Sequence, residues 1–314
     1  MSYYDLVMID IKFLIQNNDS MRVGIFLCLI SVGLFSWNKS RASLPDLTPI
    51  NLYVNATVSP DYSGKDSLIV SGARIAKSID IPVSAGMSLV WSDEFDIPGA
   101  PDANKWGYDL GASGWGNNES QYYTDRRDNS YVTDGTLKIV AKKEAFAGSQ
   151  YTSARLLTKG KYAFKYGKVE VRAKLPAGIG TWPAIWMLGD NFSTVSWPAC
   201  GEIDIMEHIG KDLNKVISAF HYPVYYGGNA KVATTMVPTA TTEFHVYKLE
   251  WTPTAMQIFV DDKLFHTLPN SPTIPYNQNF FMILNIAMGG NLGGPIAPSF
   301  TSTTFEIDYV RVYQ

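Results

Sequence analysis

Three acids stand close together in Trp197-Pro-Ala-Cys-Gly-Glu-Ile-Asp-Ile-Met-Glu-His-Ile-Gly210: Glu202, Asp204 and Glu207. Ile203, Ile205, Met206 and Ile209 are interleaved with them, the pattern of a half-buried strand in which Glu202 and Asp204 share a face. Strict alternation would put Met206 on that face next and turn Glu207 away. One extra residue at Ile205–Met206, a β-bulge, returns Glu207 to the side of Glu202. Like charges this close cannot all ionise comfortably, so at least one pKa must rise. A carboxylate held ionised beside a carboxylic acid held neutral is the pair that glycosidic-bond cleavage needs. Outer carboxyls roughly 5–6 Å apart suit the retaining, double-displacement route. The competing readings are a solvated acidic strand face and a calcium site. Mixed acidic strands usually interleave lysine, and here none comes before Lys211.

Such a strand needs a sheet to hold it. From Ser88 onward short alternating strands recur: Leu89–Phe95, Thr136–Lys143, Tyr151–Thr158, Lys168–Leu175, Ile217–Tyr222, Val246–Trp251, Met256–Val260, Phe280–Ala287 and Phe305–Tyr313. Gly, Pro and Asn turns separate them, which predicts an all-β sandwich of two antiparallel sheets. The 314 residues allow one large β domain plus a tail. Aromatic content of 13% with only 18% charged residues fits a protein that stacks on sugar rings, or an aromatic sandwich core. A net charge of −3 without a basic stripe argues against nucleic acid as a partner.

Upstream, Met21-Arg22 precedes an apolar run to Trp37. That is a secretory leader pattern, short for a membrane span, with a signal anchor as the alternative. Residues 1–42 are therefore read as a signal region with Met21 as an alternative start, 43–86 as a linker or N-terminal extension, and 87–314 as the catalytic domain. The protein is expected to be secreted and the mature chain to lack a membrane span. Cys28 lies in the leader and Cys200 beside the acids, so Cys200 is expected to be a buried structural thiol.

Other residues could complete a site. Trp115-Gly-Asn-Asn-Glu-Ser-Gln-Tyr-Tyr123 is dense in groups that bind sugar hydroxyls or stack on rings; a polar loop explains it about equally well. Arg155 on a sheet face is either ion-paired or aimed at a ligand. Trp182 and Trp186 share a face one strand before the acids, as a sugar platform or as core. His221 follows the acid strand closely, so it is predicted near Asp204, Glu207 or the leaving sugar. His245 and His266 read as structural, and no histidine pair has metal-ligand spacing. Asn285, ahead of a glycine turn, could face the same cleft. Asp308 and Glu94 could share a calcium, or be surface acids.

Gly-Glu-Ile-Asp-Ile-Met-Glu resembles the active-site strand of glycoside hydrolase family 16. The methionine before the last glutamate is similar to the laminarinase (endo-β-1,3-glucanase) branch. The likeness covers about Leu89 to Gln314. It implies a jelly-roll, concanavalin A-like sandwich with a concave cleft, and no cofactor for catalysis. It implies Glu202 as nucleophile, Glu207 as general acid/base, and Asp204 as the helper that hydrogen-bonds the nucleophile. Trp115, Asn117 and Glu119 become substrate contacts on the non-reducing side, with Arg155 on the substrate side. Trp182 and Trp186 flank the cleaved bond. A structural calcium is implied at Glu94, Asp308 and the carbonyl of Gly135. Where family members often carry a tryptophan, this chain has Leu292. The expected substrate is a β-1,3-glucan polysaccharide, cleaved by a monomer. The alternatives are a mixed-linkage glucanase, an agar-type galactanase, and a non-catalytic β-glucan-binding protein.

Overall fold

The strand Gly167–Lys174 shows how alternation becomes a layer. Val169, Val171 and Ala173 are fully buried, while Glu170, Arg172 and Lys174 stand half-exposed on the other face. The computed structural model describes residues 86–314, together with the backbone of Asp10–Asn17 and Ser20–Leu27. Those last two segments pair as an antiparallel hairpin, Asn17 opposite Ser20. The rest of the expected leader and of the 43–86 extension lies outside the described residues. Everything below concerns the compact unit Ile81–Gln314. No helix among the described residues is long and apolar enough to cross a membrane.

Two sheets form the sandwich of a jelly roll, one of ten strands and one of seven. The seven-stranded sheet carries the acids. Its spatial order is Lys231–Met236, Lys215–His221, Glu202–His208, Thr181–Gly189, Phe280–Met288, Arg155–Leu157 and Gly107–Tyr108. All of its neighbours pair antiparallel. The inward faces of both sheets interdigitate in one core, which includes Ile185, Met187, Ile203, Ile205, Met206, Phe220, Leu284 and Ile286 from the seven-stranded side. Phe280–Met288 is buried at every position. Its inner face meets that core. On its outer face Phe281 and Ile283 join a second, smaller apolar cluster with Leu157, Leu188 and Cys200. This explains why the strand reads as a continuous apolar run rather than an alternation.

One predicted strand divides. Tyr151–Thr158 is two strands, Ser149–Ser153 in the ten-stranded sheet and Arg155–Leu157 in the seven-stranded one. The break falls at Ala154, fully buried, where the chain passes between the layers. No glycine, proline or asparagine interrupts this segment of the sequence, so the change of sheet leaves no turn signal in it.

Candidate active site

The bulge is present where the acid spacing requires it. Against Thr181–Gly189, Glu202 opposes Leu188, Asp204 opposes Trp186 and Glu207 opposes Ala184, with the register shifting between Ile185 and Trp186. Against the other neighbour, Asp204 opposes Ala219 and Glu207 opposes Ile217, leaving Ser218 opposite two residues. All three acids therefore point to one face. Gly201 leads into the strand at φ +79°, where a Cβ would stand 2.9 Å from the Phe280 ring, so only glycine fits both the turn and the space.

Each outer carboxyl has an indole donor. Trp197 Nε1 donates to Glu202 Oε2 at 2.6 Å and Trp182 Nε1 to Glu207 Oε1 at 2.8 Å. Asp204 is hydrogen-bonded to Glu202. Two carboxyls can share a hydrogen bond only if one keeps its proton. Burial, then the Glu207 charge, pushes Asp204 well above the usual carboxylate range, while its hydrogen bond with Glu202 pulls the other way. Burial, then Asp204, raises Glu202 to about 8. Burial raises Glu207 to about 7, against the pull of Trp182. Acids this close titrate as a group rather than one by one.

His221 pairs in register with Glu202. Its Nδ1 accepts the Gly227 amide at 3.1 Å. An amide can only donate, so the ring proton sits on Nε2, which lies 3.2 Å from Asp204 Oδ2. Asp204 Oδ2 has no partner of good hydrogen-bond alignment, so this contact is electrostatic proximity. Glu202, Asp204 and His221 each present a ligand atom within 4.8 Å of one another. With one His221 nitrogen accepting and the other protonated, neither lone pair is open to a metal in this tautomer.

Beyond the acids, Arg155 answers both of its sequence readings. It pairs with Asp109 (Nε to Oδ2, 2.9 Å). Its guanidinium also lies 4.9 Å from the Trp115 ring centre and 4.7 Å from that of Trp186. Asn285, opposite both Ala184 and Arg155, is buried and spends its side chain on neighbours. Its Oδ1 accepts Trp186 Nε1 at 2.7 Å and its Nδ2 donates to the Tyr123 hydroxyl at 2.9 Å. Tyr123 donates to Glu119 at 3.1 Å, and Gln121 donates to the same carboxylate at 2.6 Å. Asn117 reaches Glu119 more loosely, at 3.5 Å. Burial raises the Glu119 pKa. The Trp115–Tyr123 segment is thus wired through Asn285 to the Trp186 indole.

Glu94 and Asp308 stand in separate ion pairs on the ten-stranded sheet. Both Glu94 oxygens take Arg311, at 2.9 and 2.6 Å, and Asp308 takes Arg172. Gly135 forms a tight turn with Asp134, both at positive φ. A calcium ion using both side chains would compete with Arg311 and Arg172. Asp308 Oδ1 and main-chain carbonyls are the oxygens outside those pairs.

Four contributors are invisible in the strand pattern. Trp197 comes from a turn, and Asp109 directly follows the short Gly107–Tyr108 strand. Tyr123 and Tyr276 read as ordinary core aromatics. The Tyr276 hydroxyl reaches the main-chain oxygens of Glu202 (3.1 Å) and His221 (3.0 Å), clasping the acid strand to its neighbour. Cys200 is buried, with its thiol pushed up to about 11 by that burial.

Buried acids with indole donors on one sheet of a β sandwich define a class, the glycoside hydrolases. The family model for glycosyl hydrolases family 16 matches residues 117–311, and the chain belongs to that family. A β-glucanase of Rhodothermus marinus is 47% identical over 242 residues, covering 72% of this chain and 85% of that protein. A glucan endo-1,3-β-glucosidase of Cryptopygus antarcticus is 37% identical over 248 residues, covering 71% and 90%. The laminarinase structure from R. marinus superposes with a TM-score of 0.69 at 47% identity, covering 73% of this chain and 97% of that one. Hydrolysis in this family needs no cofactor.

Proposed function

We propose that the protein is a retaining endo-β-1,3-glucanase that works by double displacement. The observation that carries this reading is the bulge, which puts Glu202 and Glu207 on one face with a separate indole donor to each. Glu202 attacks the anomeric carbon and forms a glycosyl ester. Trp197 donates to it and stabilises its anion, and Asp204 is the hydrogen-bonded neighbour that tunes it. Glu207 supplies the proton to the departing oxygen. Trp182 occupies its Oε1, so that proton belongs on Oε2. Glu207 then takes a proton from water, which cleaves the ester and returns the sugar with retained configuration. The substrate assignment rests on the relatives named above.

Glu202→Gln is expected to abolish release of reducing ends from laminarin while the melting transition stays cooperative. Azide separates the two roles. Glu202→Ala with azide should give an α-glycosyl azide by direct displacement, and Glu207→Ala a β-glycosyl azide through the ester. The opposite pattern would reverse the assignment. Lichenan, agarose and xyloglucan run beside laminarin test the substrate, and binding of laminarin without cleavage would point to a lectin-like role. We also propose secretion, on the leader pattern after Met21, action as a monomer, and a structural calcium near Asp308 and Gly135.

A further inference from the structure

The acids have company on one side that the mechanism above does not use. Trp115, Arg155 and Asn285 all lie beyond the Thr181–Gly189 strand. On the opposite side, past Lys215–His221, the chain makes a tight turn at Tyr222–Tyr225, with both main-chain bonds between those residues at 2.9 Å. Val224 sits in that turn at φ +75° and is 71% exposed. A β-branched residue is poorly suited to that conformation, and strain of this kind collects where position matters more than stability. Asn229 Nδ2 donates to the Val224 carbonyl at 2.8 Å, and the Gly227 amide donates to His221. The loop is therefore fastened at both ends.

What it holds up is Tyr226. Tyr222 belongs to the main core and Tyr225 packs against it, and Tyr226 does neither. Tyr226 is 45% exposed and meets Trp197, itself 39% exposed, with ring centres 5.3 Å apart and planes at 83°. Two half-exposed rings set edge to face form an aromatic corner. Trp197 is fixed by its bond to Glu202 and stands 5.9 Å from the His221 ring, so the corner adjoins the acids directly. Sugar rings present an apolar C–H face of the kind aromatic side chains cover.

We propose that Tyr226, with Trp197, forms a further sugar-binding subsite across the acids from Trp115 and Arg155, which takes a glucosyl ring of the polymer beyond the cleaved bond. The proposal rests on the glucan-cleaving reading and makes Tyr226 a specificity-determining residue that touches substrate without taking part in the chemistry. Its test is a length series. Wild type, Tyr226→Ala and Tyr226→Phe are compared on laminari-oligosaccharides of increasing length labelled at the reducing end, and on laminarin. Tyr226→Ala should lose about three- to tenfold in kcat/KM on substrates long enough to reach the corner. It should match wild type on the shortest ones, shift the bond cleaved within a hexamer, and melt with wild type. Tyr226→Phe should keep most of the wild-type pattern. An equal loss at every length, or no loss at any, overturns the subsite. A wild type inactive on laminarin overturns the β-1,3-glucan reading instead. The series is then repeated on the polymer that is cleaved, where the same dependence on length decides.

Discussion

Burial sets the chemistry of Glu207 before any substrate arrives. Its carboxyl stands at about 7 against an ordinary 4.5, so the fold favours the protonated form. Stability from this group is fully present below the ordinary value and is lost as pH rises through about 7. Glu207→Gln mimics the neutral form at every pH. It should melt above wild type at pH 8, and the gap should close toward pH 4.5, as read by calorimetry across that range. In the active enzyme the two outer acids titrate together, so kcat/KM should follow a bell with its limbs near pH 7 and pH 8. At this scale the sequence was informative about the acids and poor about their partners. Glu-x-Asp-x-x-Glu between apolar residues forces either a bulge or a wasted acid. Nothing in the string reveals that Trp197, five residues earlier in a turn, folds back onto Glu202. Asn285 and Arg155 face the expected side, yet Asn285 spends itself on Trp186 and Tyr123. Side-chain partners depend on three-dimensional neighbours that periodicity does not encode.

Among elements, the acid strand depends on its lateral ties. Tyr276 is fully buried, and its hydroxyl reaches main-chain oxygens on two strands at once. Tyr276→Phe removes that donor and leaves buried acceptors short of a partner, at a cost of about 1–3 kcal/mol. Calorimetry should show a transition lowered by several degrees. Strand positions were legible wherever one face is buried, as in Gly167–Lys174, because alternation is enforced there by water. The short pieces Gly107–Tyr108 and Gln121–Tyr123 carry too few residues for a period to show.

For the molecule as a whole, the ten-stranded sheet turns a ladder of ion pairs outward. Lys138 and Lys174 share Glu306, Arg172 holds Asp308, and Arg311 holds Glu94. Partly exposed pairs such as these add little stability singly. If calcium binds beside Asp308 and Gly135 as proposed, saturating ion should raise the melting temperature and a chelator should reverse it. At a hundredfold excess over Kd the gain is about 2.7 kcal/mol, or several degrees in a domain of this size. An unchanged transition would mean that the arginines alone serve these acids.

The passage between layers at Ala154 leaves no slack. Ser153 belongs to one sheet and Arg155 to the other, and a single added residue would turn the guanidinium away from both indoles. That wall of the cleft is closed to insertion. A lineage that comes to fit a wider or differently linked polymer must do so through the turns at the rim, and the 222–230 turn already carries a half-exposed aromatic ring.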